Sequence, residues 1–144
     1  MAIGKRIKFF RNRKGITLRK LGEEIGLKKE SADVRIAQYE TERRLPRESI
    51  LCKIAEVLEV SPDALRVPNI DSVIGVMHTL FVLEDEYGFS IKESDIGPII
   101  GLESEKVPEE MEHMLREWFE KRELLDRGEI SQDEYNEWRY KLKH

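Results

Sequence analysis

Apolar residues recur three and four positions apart along the first 65 residues, and helix-ending residues cut this pattern into short segments. Gly15, Gly26 and Pro46 each separate two apolar stripes, and no stretch here alternates apolar and polar residues as a strand does. Short amphipathic segments bury their stripes only against one another. The pattern therefore predicts a compact helical bundle whose inward-facing residues are Ile3, Ile7, Phe10, Leu18, Leu21, Ile25, Val34, Ile36, Tyr39, Leu51, Ile54, Ala55, Leu58 and Leu65.

Capping residues indicate where these helices begin. Thr17 and Ser31 each precede an apolar stripe and carry a hydroxyl that can accept a hydrogen bond from a first-turn N–H. Pro46 is expected to open a fourth helix, and Ser61-Pro62 one further turn, because proline is tolerated at the first helical position. Five short helices are thus predicted between residues 3 and 67.

Charge is distributed unevenly along the chain, which holds 25 Lys and Arg against 29 Asp and Glu. Residues 1–67 carry 16 basic and 10 acidic side chains, whereas residues 68–144 carry 9 basic and 19 acidic ones. A basic half joined to an acidic half suggests that only the first half meets a polyanion. The alternative is that surface charge simply drifts between small domains. A boundary is predicted near Val67-Pro68-Asn69, because the residue before a proline leaves the helical region.

The acidic half is expected to be a smaller helical region that contains a β-hairpin. A helix is predicted from Asp71 to Tyr87 and a second one over residues 107–127. Between them, apolar residues at 89–91 and 99–102 flank a loose turn and predict the hairpin. Ser131-x-x-Glu134 is a capping box for a last helix, with Tyr135, Trp138 and Leu142 expected to face inward. The predicted fold class is therefore mainly α.

Several protein classes are disfavoured by what the sequence lacks. With Cys52 as the single cysteine, neither a disulfide framework nor a thiolate metal site can be built. No apolar run reaches the length of a membrane span, and the first residues lack the apolar region of a signal peptide. These features favour a cytoplasmic protein without membrane attachment.

No pattern in the sequence indicates an enzyme. Glu109 and His113 share a helical face, but neither an HExxH motif nor a third ligand accompanies them. His78 lies within an apolar helix and is interpreted as a packed core histidine. We therefore expect no catalytic residues, no metal site and no cofactor.

Three spaced motifs carry a family resemblance. They are Leu18-x-x-Leu21-Gly22-x-x-Ile25-Gly26, then Ile36-Ala37-Gln38-Tyr39-Glu40, and finally Pro46 followed by Ile54-Ala55-x-x-Leu58-x-Val60-Ser61-Pro62-x-x-Leu65. Together they resemble the helix-turn-helix domain of the Cro and lambda-repressor (XRE) type over roughly residues 3–67. The resemblance implies a five-helix lambda-repressor-like DNA-binding bundle, with Gly22 at the helix crossing and Gly26 at a turn with positive φ.

One departure from the family pattern concerns the turn. The family usually counts about nine positions from the turn glycine to the Tyr-Glu pair, whereas Gly26 and Tyr39 are thirteen positions apart. The additional residues lie at 27–31. Either the turn is longer, or the recognition helix gains one turn at its start.

The resemblance also implies which residues contact DNA. In this family the third helix lies in the major groove, where Arg can pair with guanine and Gln with adenine. The matching base-contact candidates here are Asp33, Val34, Arg35 and Gln38, although Asp33 could instead cap the helix. The phosphate-contact candidates are Thr17, Arg19, Lys20, Lys28, Lys29, Arg43 and Arg44. The alternative for each of these residues is that it only solvates the surface.

Two functions compete on these grounds. The first is a DNA-binding transcriptional regulator of bacterial or phage type, expected to be a repressor that binds a palindromic operator as a homodimer. Residues 68–144 would then serve dimerisation or regulation, because apolar residues nearly encircle the helix at 73–83. The second is an antitoxin-like interaction protein that autoregulates through DNA binding. Whether the acidic half also binds a protein partner or a small effector stays open.

Overall fold

A computed structural model describes residues 3–68, 70–102 and 107–142. Within these residues the elements are α1 (Ile3–Lys14), α2 (Leu18–Glu24), α3 (Ala32–Glu40), α4 (Glu48–Leu58), α5 (Pro62–Leu65), α6 (Val73–Tyr87), β1 (Phe89–Ser94), β2 (Gly97–Leu102), α7 (Glu109–Asp126) and α8 (Gln132–Lys141). The predicted fold class, mainly α with an N-terminal five-helix bundle and a hairpin, is confirmed.

The chain folds into two compact units. Unit 1 comprises residues 1–69 and 136–144, and unit 2 comprises residues 70–135. The division between them falls within α8. The predicted boundary near residues 67–69 includes Asn69, which lies outside the described residues. The assignment of residues 1–67 to DNA binding and of residues 68–144 to dimerisation or regulation stays a prediction.

The core of unit 1 forms where α1 packs against α3, α4 and α5. Ile7, Phe10 and Leu21 are almost fully buried there, as their helical spacing predicts. Val34 is the exception among the predicted core residues, since 56% of it is exposed. It lies off the buried stripe of α3, which consists of Ala32, Ile36 and Tyr39.

Two of the predicted helix starts in unit 1 carry the expected cap. The side chain of Thr17 accepts a hydrogen bond from the N–H of Lys20, and that of Ser61 accepts one from Asp63. Ser31 is the residue before α3, but its hydroxyl donates to the carbonyl of Lys28 (3.4 Å) and makes no cap bond. α4 begins at Glu48 and not at Pro46, because Arg47 at its N-cap has an extended backbone.

α2 and α3 cross at Gly22. A Cβ atom on this residue would lie 2.7 Å from the Cβ of Ala32 and 2.8 Å from its carbonyl oxygen, so the two helices approach within a distance that only glycine allows. Gly26 adopts a φ of +86° in the turn that follows α2. The predicted roles of both glycines are confirmed.

The additional residues between Gly26 and α3 lengthen the turn. α2 ends at Glu24 and α3 begins at Ala32, which leaves residues 25–31 outside both helices. Within α3, Ile36 and Tyr39 are buried three residues apart, as the family motif predicts. Of the two alternatives that the sequence left open, the longer turn is therefore correct, and the recognition helix has nine residues.

The C-terminal segment of the chain packs within unit 1. The ring of Tyr140 makes edge contacts with Phe10 and Phe9 of α1, at centroid distances of 4.8 and 6.1 Å. The carbonyl of Tyr140 accepts a hydrogen bond from the backbone N–H of Ser61 (2.8 Å). Sequence analysis did not predict this contact, because nothing in the local pattern of residues 136–142 indicates which surface they cover.

Unit 2 contains α6 and an antiparallel hairpin. Ser72 caps α6 through the N–H of Gly75, and Gly88 ends the helix with a φ of 69°. In the hairpin, Phe89 pairs with Leu102 and Ser94 with Gly97. The connection is therefore a tight turn of two residues, 95 and 96, and the predicted loose turn is wrong because both strands extend further toward it.

Most of the apolar residues of α6 are exposed. None of its side chains, all of which the structure describes, is fully buried. His78 is exposed, so its interpretation as a packed core histidine is wrong. The exposed apolar residues of the helix include Val73, Ile74, Val76, Met77, Phe81 and Val82.

The last helix begins as its sequence predicts. The Ser131 side chain accepts from the N–H of Glu134 (3.1 Å), and the Glu134 carboxylate accepts from the N–H of Ser131 (2.7 Å), which completes the capping box. Tyr135 is buried, and its hydroxyl accepts a hydrogen bond from the indole of Trp118 (2.6 Å). Leu142 is exposed, contrary to prediction.

Replacing Tyr140 by Ala should destabilise unit 1. The change removes an aromatic ring that packs on α1, and we expect a loss of about 2 kcal/mol from the free energy of unfolding. Urea unfolding followed by circular dichroism measures the loss, and hydrogen exchange of the α1 amides localises it. Tyr140→Phe keeps the ring and should leave stability nearly unchanged. Equal stability of the two variants would contradict a structural role for the ring.

Candidate nucleic-acid interface

α3 presents one buried and one exposed face. Ile36 and Tyr39 are buried in the core of unit 1, which fixes the rotation of the helix about its axis. Arg35 and Gln38 lie between the two faces and are partly exposed. Within the described part of the chain, neither the guanidinium of Arg35 nor the amide of Gln38 makes a hydrogen bond. Both groups are thus available to a ligand that contacts this face.

Asp33 and Val34, the other two base-contact candidates, lie in the first turn of α3. One carboxylate oxygen of Asp33 accepts a hydrogen bond from the N–H of Val34 (2.9 Å), and the other lies 3.6 Å from the guanidinium of Arg19. A predicted base contact and a predicted phosphate contact are therefore paired with each other. The pair joins α2 to the start of α3 across their exposed surfaces.

Thr17 and Lys20, two of the phosphate-contact candidates, are exposed at the start of α2. The Thr17 hydroxyl oxygen is used by its helix, since it accepts from the N–H of Lys20 (3.1 Å). The ammonium of Lys20 lies 2.9 Å from the Glu24 carboxylate, one turn along the helix. This hydrogen bond raises the pKa of Lys20, and the negative charge of Glu24 adds to the effect.

Lys28 and Lys29 occupy the enlarged turn, and both are exposed. The carbonyl of Lys28 accepts from the N–H of Ser31 (3.0 Å), so this part of the turn is folded back on itself. The two ammonium groups are therefore carried by an ordered segment that directly precedes α3.

Arg43 and Arg44 follow α3 in a short turn, and both are exposed. The N–H of Arg44 donates to the carbonyl of Gln38 (3.2 Å). Between them and the helix, Glu42 adopts a φ of 57° and its carboxylate accepts from the N–H of Gly4 (3.2 Å). Both contacts hold the turn against its own helix and α1, so the two arginines project from a fixed position.

A buried ion pair connects α3 to α1. The guanidinium of Arg11 donates to both carboxylate oxygens of Glu40, at 2.5 and 3.1 Å, and also to the carbonyl of Ile16 (2.9 Å). Only 12% of the Arg11 side chain and 6% of the Glu40 side chain are exposed. Bidentate pairing restricts both distance and orientation, so the pair fixes the last turn of α3 against α1.

The chain is similar in sequence to known helix-turn-helix proteins. The profile of the Helix-turn-helix family matches residues 7–65. The crystal structure of transcriptional regulator BswR is 32% identical, covers 51% of this chain and 71% of that chain, and has a TM-score of 0.45. The P22 c2 repressor in complex with synthetic operator 9T is 29% identical, covers 45% of this chain and 92% of that chain, and has a TM-score of 0.40. No curated protein matches the chain.

The chain belongs to the XRE-type helix-turn-helix family. Members of this family are DNA-binding transcriptional regulators. In the helix-turn-helix of this protein, α2 is the first helix, residues 25–31 are the turn, and α3 is the recognition helix.

Three residues that position the recognition helix were not identified from the sequence: Gly4, Arg11 and Glu42. Gly4 lies where α1 meets the end of α3, since a Cβ there would lie 2.5 Å from the carbonyl oxygen of Tyr39. A glycine inside a helical pattern is a signal of such close approach. Glu40 belongs to a family motif, but its pairing with Arg11 was not predicted, because an ion pair between residues 29 positions apart cannot be inferred from one sequence.

The described residues offer neither the ligand cluster of a metal site nor a helix suited to span a membrane. Glu109 and His113 are both exposed on α7. No group of three His, Cys, Asp or Glu side chains in the described ranges could hold a metal ion. That the protein is not an enzyme stays a prediction. None of the described helices is both long and apolar enough to cross a membrane.

The Arg11–Glu40 pair should be essential to the stability of the helix-turn-helix. Glu40→Gln leaves the buried guanidinium without a counter-charge, and we expect a loss of about 3 to 5 kcal/mol in the free energy of unfolding. Glu24→Gln makes the same chemical change in the exposed pair with Lys20 and should have little effect. Urea unfolding measures both. Equal stabilities of the two variants would show that the buried pair contributes nothing particular.

Proposed function

We propose that this protein is a sequence-specific repressor that binds a palindromic operator as a homodimer. One observation carries the proposal: Arg35 and Gln38, both partly exposed, lie one turn apart on a recognition helix that a buried ion pair holds in place. The two parts of the proposal, base recognition by α3 and dimer formation by unit 2, are tested separately.

Base recognition would come from Arg35 and Gln38 of α3. Arg35 can donate two hydrogen bonds to O6 and N7 of guanine, and Gln38 can pair with N6 and N7 of adenine. Each contact is expected to contribute about 1 to 3 kcal/mol of discrimination against the wrong base. Val34 is 56% exposed and could contact a thymine methyl group, while Asp33 is already engaged with Arg19.

Phosphate contacts would fix the register of α3 on the duplex. Arg43 and Arg44 lie beyond its C-terminal end, and Lys28 and Lys29 precede its N-terminal end. Basic groups on both sides suit a helix that lies in a groove between two phosphate backbones. Such contacts strengthen binding to every sequence alike, and they make it dependent on salt.

Substitutions at the two kinds of position should therefore differ in their effect. Arg35→Ala or Gln38→Ala should weaken binding to the best operator by about 1 to 3 kcal/mol and relax the preference at one base pair. Arg43→Ala should weaken binding to all duplexes equally and reduce the slope of log K against log salt by about one unit. Fluorescence anisotropy with selected and randomised duplexes at several salt concentrations measures both effects.

Two outcomes of these measurements would contradict the proposed contacts. A loss at Arg35 and Gln38 that is uniform over all sequences would show that these residues contact phosphates and do not recognise bases. An unchanged salt slope for Arg43→Ala would remove that residue from the interface.

Dimer formation is proposed because one helix-turn-helix contacts too few base pairs. Specific binding must compete with about a million or more genomic sites, and two recognition helices about 34 Å apart double the contacted sequence. A two-fold protein then requires a two-fold operator. The acidic residues of 68–144 disfavour contact between this half and DNA, which suits a role in assembly.

The proposed interface is the outer face of α6. Ile74 and Val82 define this face: they lie about two turns apart along the helix and are 67% and 57% exposed. Apolar surface of this kind, continuous along a helix, is typical of a protein–protein interface. A second copy of the chain is the simplest partner for this surface, because a two-fold dimer brings the same face of both subunits into contact.

Charge placed on this face should separate the subunits. Ile74→Glu or Val82→Glu is expected to raise the dimer dissociation constant at least tenfold, because the interface would bury an unpaired carboxylate. Leu45→Glu introduces the same charge at an exposed apolar residue of unit 1 and should leave the dimer intact. Sedimentation velocity across a range of concentrations gives the constants.

A monomeric wild-type protein would sink the dimer proposal. If the purified protein instead carries a tightly bound second protein on this face, the antitoxin-like alternative is favoured. Either result leaves the base-recognition test unaffected, since that test compares duplexes with a single protein preparation.

A further inference from the structure

Two stretches of chain connect unit 1 with unit 2, and they differ in character. The first runs through residues 66–72, and its described residues belong to no helix or strand. The second is α8 itself, because the division between the units falls between Tyr135 and Asn136. A short non-helical connection alone leaves two units free to reorient, whereas a helix is stiff. Unit 2 is therefore an insertion in the chain of unit 1, and one of its two connections is helical.

α8 carries features that keep it straight across the division. Its ten residues, Gln132–Lys141, include neither glycine nor proline, which are common causes of a kink. The guanidinium of Arg139 donates to the side-chain oxygen of Asn136, the first residue beyond the division (2.6 Å). The ammonium of Lys141 lies 2.7 Å from the Glu137 carboxylate, one turn earlier. With the capping box at its start, the helix is supported along its whole length.

The first turn of α8 is anchored in unit 2. Tyr135 is only 4% exposed, and its hydroxyl accepts a hydrogen bond from the indole N–H of Trp118 on α7 (2.6 Å). Both residues belong to unit 2. The helix therefore starts from a buried and hydrogen-bonded side chain, which restricts how it can move relative to this unit.

The last turns of α8 are anchored in unit 1. The carbonyl of Tyr140 accepts from the backbone N–H of Ser61 (2.8 Å), and Ser61 is only 3% exposed. If α8 left this surface, the buried N–H would lose its acceptor, which is costly. The guanidinium of Arg13 lies 3.5 Å from the Glu137 carboxylate and 5.2 Å from the centre of the Tyr140 ring. Unit 1 thus favours the docked helix through backbone and side-chain contacts.

The docking point of α8 is also the support of the recognition helix. The Tyr140 ring contacts Phe10 of α1, and the next residue, Arg11, holds Glu40 of α3 by the buried ion pair. α1 therefore contacts both α8 and α3. The orientation of α3 is tied to that of α8 through one helix.

We propose that α8 determines the spacing between operator half-sites that this protein accepts. The inference rests on the proposed function, in which unit 2 forms a dimer that presents two recognition helices. If each α3 is tied through α1 and α8 to the dimerising unit, the two helices reach half-sites at one separation only. Two additional base pairs move a half-site by about 7 Å and rotate it by about 70° around the duplex, which a tied helix cannot follow.

An insertion within α8 tests this role in the full-length protein. Three glycines between Asn136 and Glu137 interrupt the helix at the division and keep every anchoring side chain. Three glycines between Asp95 and Ile96, in the exposed turn of the hairpin, are the matched control, because they lengthen unit 2 and leave α8 intact. The best palindrome is selected with the wild-type protein, and its half-sites are then moved two base pairs apart or together.

The two insertions should differ in how binding depends on spacing. The wild-type protein and the hairpin variant should lose at least about tenfold in affinity when the spacing changes, and the α8 variant less than about threefold. All three should bind a duplex with a single half-site equally, because unit 1 keeps its own contacts. Fluorescence anisotropy measures these affinities, and the single half-site shows that each variant is folded.

Tyr140→Ala provides a second route that does not change the length of the chain. It removes the ring that docks α8 on α1, so it should also reduce the dependence on spacing, whereas Tyr140→Phe keeps the ring and should retain it. The comparison is made below the temperature at which Tyr140→Ala begins to unfold, as circular dichroism shows.

Sedimentation velocity separates the failure of this inference from that of the dimer. A dimeric α8 variant with the spacing dependence of the wild type overturns this inference alone. So does a dimeric wild-type protein that accepts every spacing, or a hairpin insertion that relaxes the spacing as much as the insertion in α8. A monomeric wild-type protein overturns this inference together with the dimer proposal.

Discussion

The position of the recognition helix depends on the ion pair between Arg11 and Glu40. Two charges that are almost entirely buried stabilise a fold only when each satisfies the other, and here both carboxylate oxygens are engaged. The pair ties the end of α3 to α1, while the glycine crossing at Gly22 ties its beginning to α2. With both ends held, the side chains between them keep one orientation toward a ligand.

This rigid support explains how the enlarged turn is tolerated. The additional residues lie at 27–31, outside both helices, so they change neither the crossing at Gly22 nor the buried stripe of α3. A surface loop accepts such an insertion at little cost in free energy, because the entropy of closing a loop grows slowly with its length. Lys28 and Lys29 are exposed in this turn, so the insertion adds positive charge beside the recognition helix.

Unit 2 has a different physical character. Its helix α6 leaves apolar residues exposed on more than one side, and the hairpin adds Ile91 and Ile96, which are 74% and 93% exposed. A unit with so little buried apolar surface gains stability from whatever covers it. The proposed dimer face is a surface on which such a gain can occur.

Local patterns in the sequence determined most of the secondary structure and the core of unit 1. Helix spacing, capping by Thr17 and the capping box at Ser131 act between residues a few positions apart, so one sequence suffices to predict them. The family motifs likewise identified Gly22 and the recognition helix. Contacts between distant residues were decided only by the tertiary structure: the Arg11–Glu40 pair, the close approach at Gly4 and the packing of Tyr140 on α1. No local pattern encodes these contacts, because each depends on where a second, separately folded segment comes to lie.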